Sequence, residues 1–170
     1  AYRLLAIMTA ALLTVAAIGA HRPPTSAASP VPIREAIRGR VDFWILYVSS
    51  ILISITLFTP FVFLADYIDT VGGTGSAAVL LGLIGMSSIA GRLGFGAVAA
   101  RIGITGLYQL SFLVLSLSVL LWIVADTSYS LLILFAVVLG VAYGGFIALS
   151  PAVVAVRFGV VGMGGVLGAL

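Results

Sequence analysis

The sequence predicts an all-α, polytopic membrane protein, and three observations carry that expectation. The 170 residues are 62% hydrophobic and only 8% charged, against roughly 45–50% and about 25% in soluble domains. The apolar stretches reach the ~20 residues that a spanning helix needs. They also lack the period-two alternation of barrel strands, and backbone facing lipid must find its hydrogen bonds within its own segment. A chain of this size has too little polar surface to cover so much apolar area in water.

The charge pattern agrees. A net charge of +3 and a pI near 9.7 would suggest a nucleic-acid face in a soluble protein. Here the basic residues, all of them Arg, stand between apolar runs, which is the pattern of membrane topology, and no nucleic-acid partner is expected. The absence of cysteine removes disulfides and thiolate metal sites. His21 stands alone beside prolines, so no metal site is expected. There is no nucleophile with a base, no paired carboxylates and no phosphate loop, so neither an enzyme nor a cofactor is expected. The chain does not begin with Met and stops inside an apolar run, which reads as a fragment of a longer protein.

Three regions are expected: a transmembrane helix over 1–20, a cytoplasmic linker over 21–42 and a truncated transmembrane bundle over 43–170. Leu4 to Ala20, behind Arg3, reads as a spanning helix or as a secretory signal. Its length, beyond the roughly 7–15 residues of a signal core, favours the helix. In His21 to Asp42, the prolines Pro23, Pro24, Pro30 and Pro32 make an extended linker. Ile33 to Arg40 then forms a short surface helix. It turns Arg34, Arg38 and Arg40 toward headgroups, with Glu35 and Arg38 at helical spacing.

Phe43 to Ala65 is the second span, opened by the interfacial anchors Trp44 and Tyr47. Asp66, Tyr67, Asp69 and the glycines Gly72, Gly73 and Gly75 read as an acidic, flexible loop. Ser76 to about Val98 is the third span, with Arg92 in its last turns. The stretch Gly91 to Gly103, GRLGFGAVAARIG, is expected to make a tight turn at the membrane surface. Ile104 to Ala125 is the fourth span, closed by Trp122 and Asp126. Ser128 to about Val156 is the fifth, bent by Pro151 and followed by a short turn at Arg157 and Phe158. Gly159 to Leu170 begins a sixth span and covers only about 18 Å of a roughly 30 Å core.

Arg22, Arg34, Arg38, Arg40, Arg92, Arg101 and Arg157 all fall on one side of this alternating topology. Arg3, Asp66, Asp69 and Asp126 fall on the other. The arginine-rich loops are therefore expected to be cytoplasmic, in a multi-pass protein of the plasma or inner membrane.

Arg92 stands well inside its apolar run. It is either a snorkelling arginine that pins the loop, or an anion contact or gating ion pair. Ser49 and Thr56 share one helix face, with Thr59 close to it. Such a stripe lines an aqueous cavity, bonds back to its own helix or binds a neighbour. Ser87 and Ser88 carry the same readings. In the fifth span, Gly140, Gly144 and Gly145 allow close helix approach or local unwinding, and Tyr143 among them needs a hydrogen-bond partner. Gly162, Gly164, Gly165 and Gly168 read as a packing face.

GRLGFGAVAARIG resembles the cytoplasmic motif that joins the eighth and ninth helices of major facilitator superfamily transporters. YGGFIALSPAVVAVRFGVVGMGGVLG resembles the tenth-to-eleventh helix region of the branch of monocarboxylate porters and oxalate–formate antiporters. PIREAIRGRVDFWILYVS is similar to the central cytoplasmic loop entering the seventh helix. The resemblance implies a partial major-facilitator helix bundle with about five complete spans and a truncated sixth. It also implies a secondary active transporter that rocks two six-helix halves around a small solute, here a monocarboxylate or related organic anion. The N-terminal half would be missing, and membrane lipid would surround the bundle.

By the same resemblance, the second, third, fifth and last spans line the cavity and the fourth faces lipid. Arg92, Ser49, Thr56, Ser88 and Tyr143 are the candidate solute contacts. Gly91, Arg92, Gly96, Arg101 and Gly103 carry the loop motif and gating. Two positions depart from the pattern: Ser88 stands where an acidic residue is usual one turn before the arginine, and Ala100 replaces the Asp before Arg101. The alternatives are efflux of an uncharged or apolar solute and a membrane module that does not transport.

Overall fold

The computed structural model describes Thr9, Leu13, Thr14 and residues 41–71, 75–126, 128–159 and 163–169. Apart from Thr9, Leu13 and Thr14, the expected first span lies outside these residues, as do the proline linker and the short arginine helix, together with Arg3, His21, Arg22, Arg34, Arg38, Arg40, Gly72, Gly73 and Gly162. Within them the chain forms α1 (Val41–Val71), α2 (Ala77–Ile102), α3 (Ile104–Ala125), α4 (Tyr129–Phe158) and α5 (Met163–Ala169). The first four are long and apolar enough to cross a membrane, and the described residues contain no strand.

Two expectations are corrected. The segment Gly91 to Gly103 is not a turn: α2 continues through Gly91, Gly94 and Gly96 to Ile102. A helix is the cheapest way to satisfy backbone groups at membrane depth, so three glycines do not suffice to break it. The whole turn is Gly103, whose φ of 98° lies in the left-handed region open to glycine. Its N–H donates to the Ala99 carbonyl at 3.1 Å and its own carbonyl starts α3, accepting from Leu107 at 3.2 Å. Second, Asp66, Tyr67 and Asp69 belong to α1 rather than to a loop. At about 46 Å, α1 outruns a roughly 30 Å hydrocarbon core and carries its carboxylates into the polar layer.

Smaller boundary shifts follow the same logic. Val41 and Asp42 open α1 instead of closing the linker, and Arg157 and Phe158 are the last turn of α4. That helix ends at Gly159, φ 78°, whose N–H caps the Ala155 carbonyl at 3.0 Å. Pro151 lies inside it. The expected bounds of the fourth span, Ile104 to Ala125, are those observed.

The helix α4 is the spine. Leu132, Phe135, Ala136, Leu139, Ala142, Leu149 and Val153 are all buried, and both α2 and α3 pack along it. Each of its neighbours presents one stripe at helical spacing: Leu80, Ile84, Ser88 and Gly91 on α2, and Leu107, Ser111, Leu115 and Ser118 on α3. The buried hydroxyls bond back within their helices, Ser111 to the Tyr108 carbonyl and Ser118 to the Leu115 carbonyl, both at 2.6 Å. They therefore enter the interface without an unmet donor.

On the outward faces, large apolar side chains such as Leu113, Leu117, Leu120 and Ile123 stay exposed, as lipid-facing residues should. The α2–α4 seam is closest of all. A Cβ at Gly91 would run into the Val141 carbonyl, one at Gly140 into Ser87 and the Ile84 carbonyl, and one at Gly144 into the Ser88 carbonyl. Small residues let the two backbones touch.

α1 is held at its ends and rests lightly between them. At one end Phe43 packs with Val154 and Val166. At the other, the Tyr67 phenol donates to the Asp126 carbonyl at 3.0 Å and its ring meets Trp122 edge-on at 5.7 Å. In between, Pro60 removes one helical N–H. The hydroxyls of Ser54, Thr56 and Thr59 donate back to the carbonyls of Ser50, Leu52 and Ile55 at 2.8–2.9 Å. Such back-bonds bend helices.

Candidate solute site

Hollows flank α1 on two sides. On the α4 flank, Ser54, Phe58, Phe61, Tyr143, Phe146 and Ile147 line a cavity of about 330 Å³. On the α3 flank, a cavity of about 360 Å³ opens among Asp42, Ser49, Tyr108, Gln109, Phe112 and Arg157. It runs on into a hollow of about 200 Å³ that shares Ser49 and Phe112 and adds Leu52, Thr56 and Ser116. Between the flanks stands an aromatic wall. The Phe112 and Phe146 rings meet edge-on at 5.6 Å, and Tyr108 stacks on Phe146 at 5.7 Å.

The candidates from sequence are thus divided. Tyr143 lies on the α4 flank, half-buried. Ser49 and Thr56 lie on the α3 flank, where Thr56 also bonds back to Leu52. Ser88 lines none of the three hollows. It is 4% exposed in the α2–α4 seam, with its hydroxyl donating to the Gly85 carbonyl at 2.7 Å. Gly91 is a backbone contact of that seam, whereas Gly96 has open space around it. Arg101 sits in the last turn of α2, where a cation is favoured by the helix dipole.

Arg92 is exposed on α2. It precedes the helix end at Ile102 by about 15 Å of helix, half the thickness of a hydrocarbon core. Among the described residues it forms no ion pair.

Several polar residues were not singled out in the sequence. Arg157 Nη1 lies 3.6 Å from Asp42 Oδ1 and ties the end of α4 to the start of α1. Tyr108 is buried near the start of α3, its ring edge-on to Phe112 at 4.9 Å and stacked on Phe146 of α4 at 5.7 Å. Thr105 and Gln109 join Tyr108 on the same cavity wall. The fourth span therefore faces a cavity on one side, as well as lipid on the other. The signal was the Tyr108–Gln109 pair at the head of an otherwise apolar run. Among the described residues no group of three or more His, Asp or Glu side chains is placed to hold a metal ion.

Four apolar helices of membrane-crossing length, packed side by side, mark an integral membrane protein built as a helical bundle. The family model described as uncharacterised MFS-type transporter YbfB matches residues 2–158. The chain belongs to this family of major facilitator transporters. The match supports the superfamily that the three motifs resemble and does not extend to the monocarboxylate branch. No curated protein and no solved structure matches the chain.

Proposed function

We propose that the chain forms most of one half of a secondary active transporter that carries a small organic anion, a monocarboxylate or a close relative, by alternating access. A first six-helix half would complete the path, and the arginine-bearing ends would face the cytoplasm. The observation that carries the reading is Arg92: a permanent charge about 15 Å from its helix end, without a carboxylate partner among the described residues. A guanidinium at that depth is costly unless it snorkels, pairs or meets water, and in this reading it faces a water-filled path or an anion site. A planar carboxylate is the ligand its fork of donors fits best. Arg92 lines none of the three hollows, and in this reading the Tyr143 hydroxyl on the α4 flank would be a second, uncharged contact.

A further reading is favoured by one feature. The cavity around Tyr143 is lined by Phe58, Phe61 and Phe146 and holds no charged residue. That wall suits an aromatic or apolar solute.

The test is uptake of labelled small carboxylates into liposomes carrying the full-length protein, with and without a pH gradient. Saturable uptake that Arg92→Ala abolishes in a folded protein supports the anion reading. Carboxylate uptake unchanged in Arg92→Ala makes Arg92 a topology anchor, and uptake absent from wild type while an aromatic uncharged solute is carried moves the assignment to the second reading.

A further inference from the structure

The hollow on the α4 flank is built by two facing stripes. On α1, Ser54, Leu57, Phe58 and Phe61 fall at i, i+3, i+4 and i+7, and on α4, Tyr143, Phe146 and Ile147 fall at i, i+3 and i+4. The Phe146 ring is held from behind, edge-on to Phe112 at 5.6 Å and stacked on Tyr108 at 5.7 Å. The backbone contacts of Gly140 and Gly144 with α2 fix the same helix, so this side of the hollow is a rigid aromatic face. Its volume of about 330 Å³ is roughly twice the ~150 Å³ of an apolar cavity that takes up benzene. Two fused rings have room there.

Two hydroxyls interrupt the apolar lining, and they offer different things. The Ser54 hydroxyl donates its proton to the Ser50 carbonyl at 2.8 Å, so toward the hollow it can only accept. The Tyr143 hydroxyl has no hydrogen-bond partner among the described residues, so it can donate. The complement of an acceptor and a donor in one hollow is a group that does both. A carboxylate or an ether only accepts, and among the described residues no cation lines the hollow to hold an anion. A hydroxyl on an aromatic ring both donates and accepts.

We infer, resting on the second reading above, that this hollow selects an uncharged aromatic solute bearing a hydroxyl group. The ring lies between Phe58 and Phe61 of α1 and Phe146 of α4, in the edge-on or offset contacts that aromatic rings favour. Its hydroxyl donates to Ser54 Oγ and accepts from the Tyr143 phenol. An ether of the same shape keeps the second bond and loses the first, so it binds roughly tenfold more weakly.

The test is equilibrium binding of naphthol, its methyl ether and naphthoate to the full-length protein in nanodiscs, with empty nanodiscs measuring partition into lipid. Wild type should bind naphthol about tenfold more tightly than either other probe. Ser54→Ala should bring naphthol down to the level of the ether and leave the ether unchanged. Tyr143→Phe should weaken both, since each offers an oxygen to the lost donor. Thr59→Ala removes a back-bonding hydroxyl of α1 that lines none of the three hollows, and should leave the preference as in wild type. Size-exclusion profiles identify variants that fail to fold. Equal binding of naphthol and its ether by wild type, or a preference that survives Ser54→Ala, overturns the inference and leaves the second reading standing. Tightest binding of naphthoate, or no saturable binding of any probe, overturns the inference and the second reading together.

Discussion

Gly144 of α4 lies against the carbonyl oxygen of Ser88 in α2, so close that the seam has no room for a Cβ. Both partners are backbone, and neither can swing aside as a side chain would. Gly144→Val should therefore force the helices apart and cost about 1–3 kcal/mol or more. Gly96→Ala, with open space around it, should be neutral or slightly stabilising, since alanine is the better helix former. Thermal melting of the two variants in detergent checks the contrast.

Ser88 stands one helical turn before Arg92 on α2. Its hydroxyl satisfies the Gly85 carbonyl inside the seam. Ser88→Ala is expected to leave the KM for solute within about twofold of wild type and to shift stability by less than about 1 kcal/mol. A large rise in KM with unchanged melting would return Ser88 to the solute path.

Much of the fold was legible because lipid imposes a simple rule. Long apolar runs gave the spans, and Ile104 to Ala125 matched end to end. The misplaced boundaries share one cause. Hydropathy marks where the hydrocarbon ends, whereas α1 runs on through Asp66 and Asp69 into the polar layer. Gly91, Gly94 and Gly96 suggested a turn, yet Gly91 serves the contact with Val141 instead. The site was less legible. Asp42 and Arg157 lie at opposite ends of the bundle in sequence, and only the packing of α4 against α1 brings them together. Ser49 and Tyr143 each looked able to meet a solute, but which flank of α1 each would face depends on tertiary contacts.

The turn between α3 and α4 stores strain. Asp126 has φ 41° and ψ −117°, a region that side chains avoid, and its carbonyl accepts the Tyr67 hydroxyl. Asp126→Gly should relieve about 1 kcal/mol or more and raise the melting temperature. Tyr67→Phe should lower stability by about 1 kcal/mol through the lost hydrogen bond. Melting curves of both variants in detergent test the opposed signs.

The aromatic wall separates two hollows of different character. Phe146→Ala removes its central ring, which touches both Tyr108 and Phe112. The expected result is a loss of about 3–5 kcal/mol, with a broadened solute range in the molecules that remain folded. Phe146→Leu should recover most of the stability while keeping the hollows apart. Melting and competition uptake with bulkier carboxylates read the two effects.

In the proposed transport cycle Arg92 faces a water-filled solute path at bilayer depth. The chain has no cysteine, so, once any cysteine elsewhere in the full-length protein is replaced, Arg92→Cys introduces a single thiol among these 170 residues. Its rate of modification by a membrane-impermeant methanethiosulfonate is compared with that of Leu117→Cys, on the outward face of α3, where the side chain is 49% exposed. Rapid modification at position 92, with slow modification at position 117, is the predicted result. Modification at 92 as slow as at 117, with both thiols reached only by a lipid-soluble maleimide, would contradict the claim.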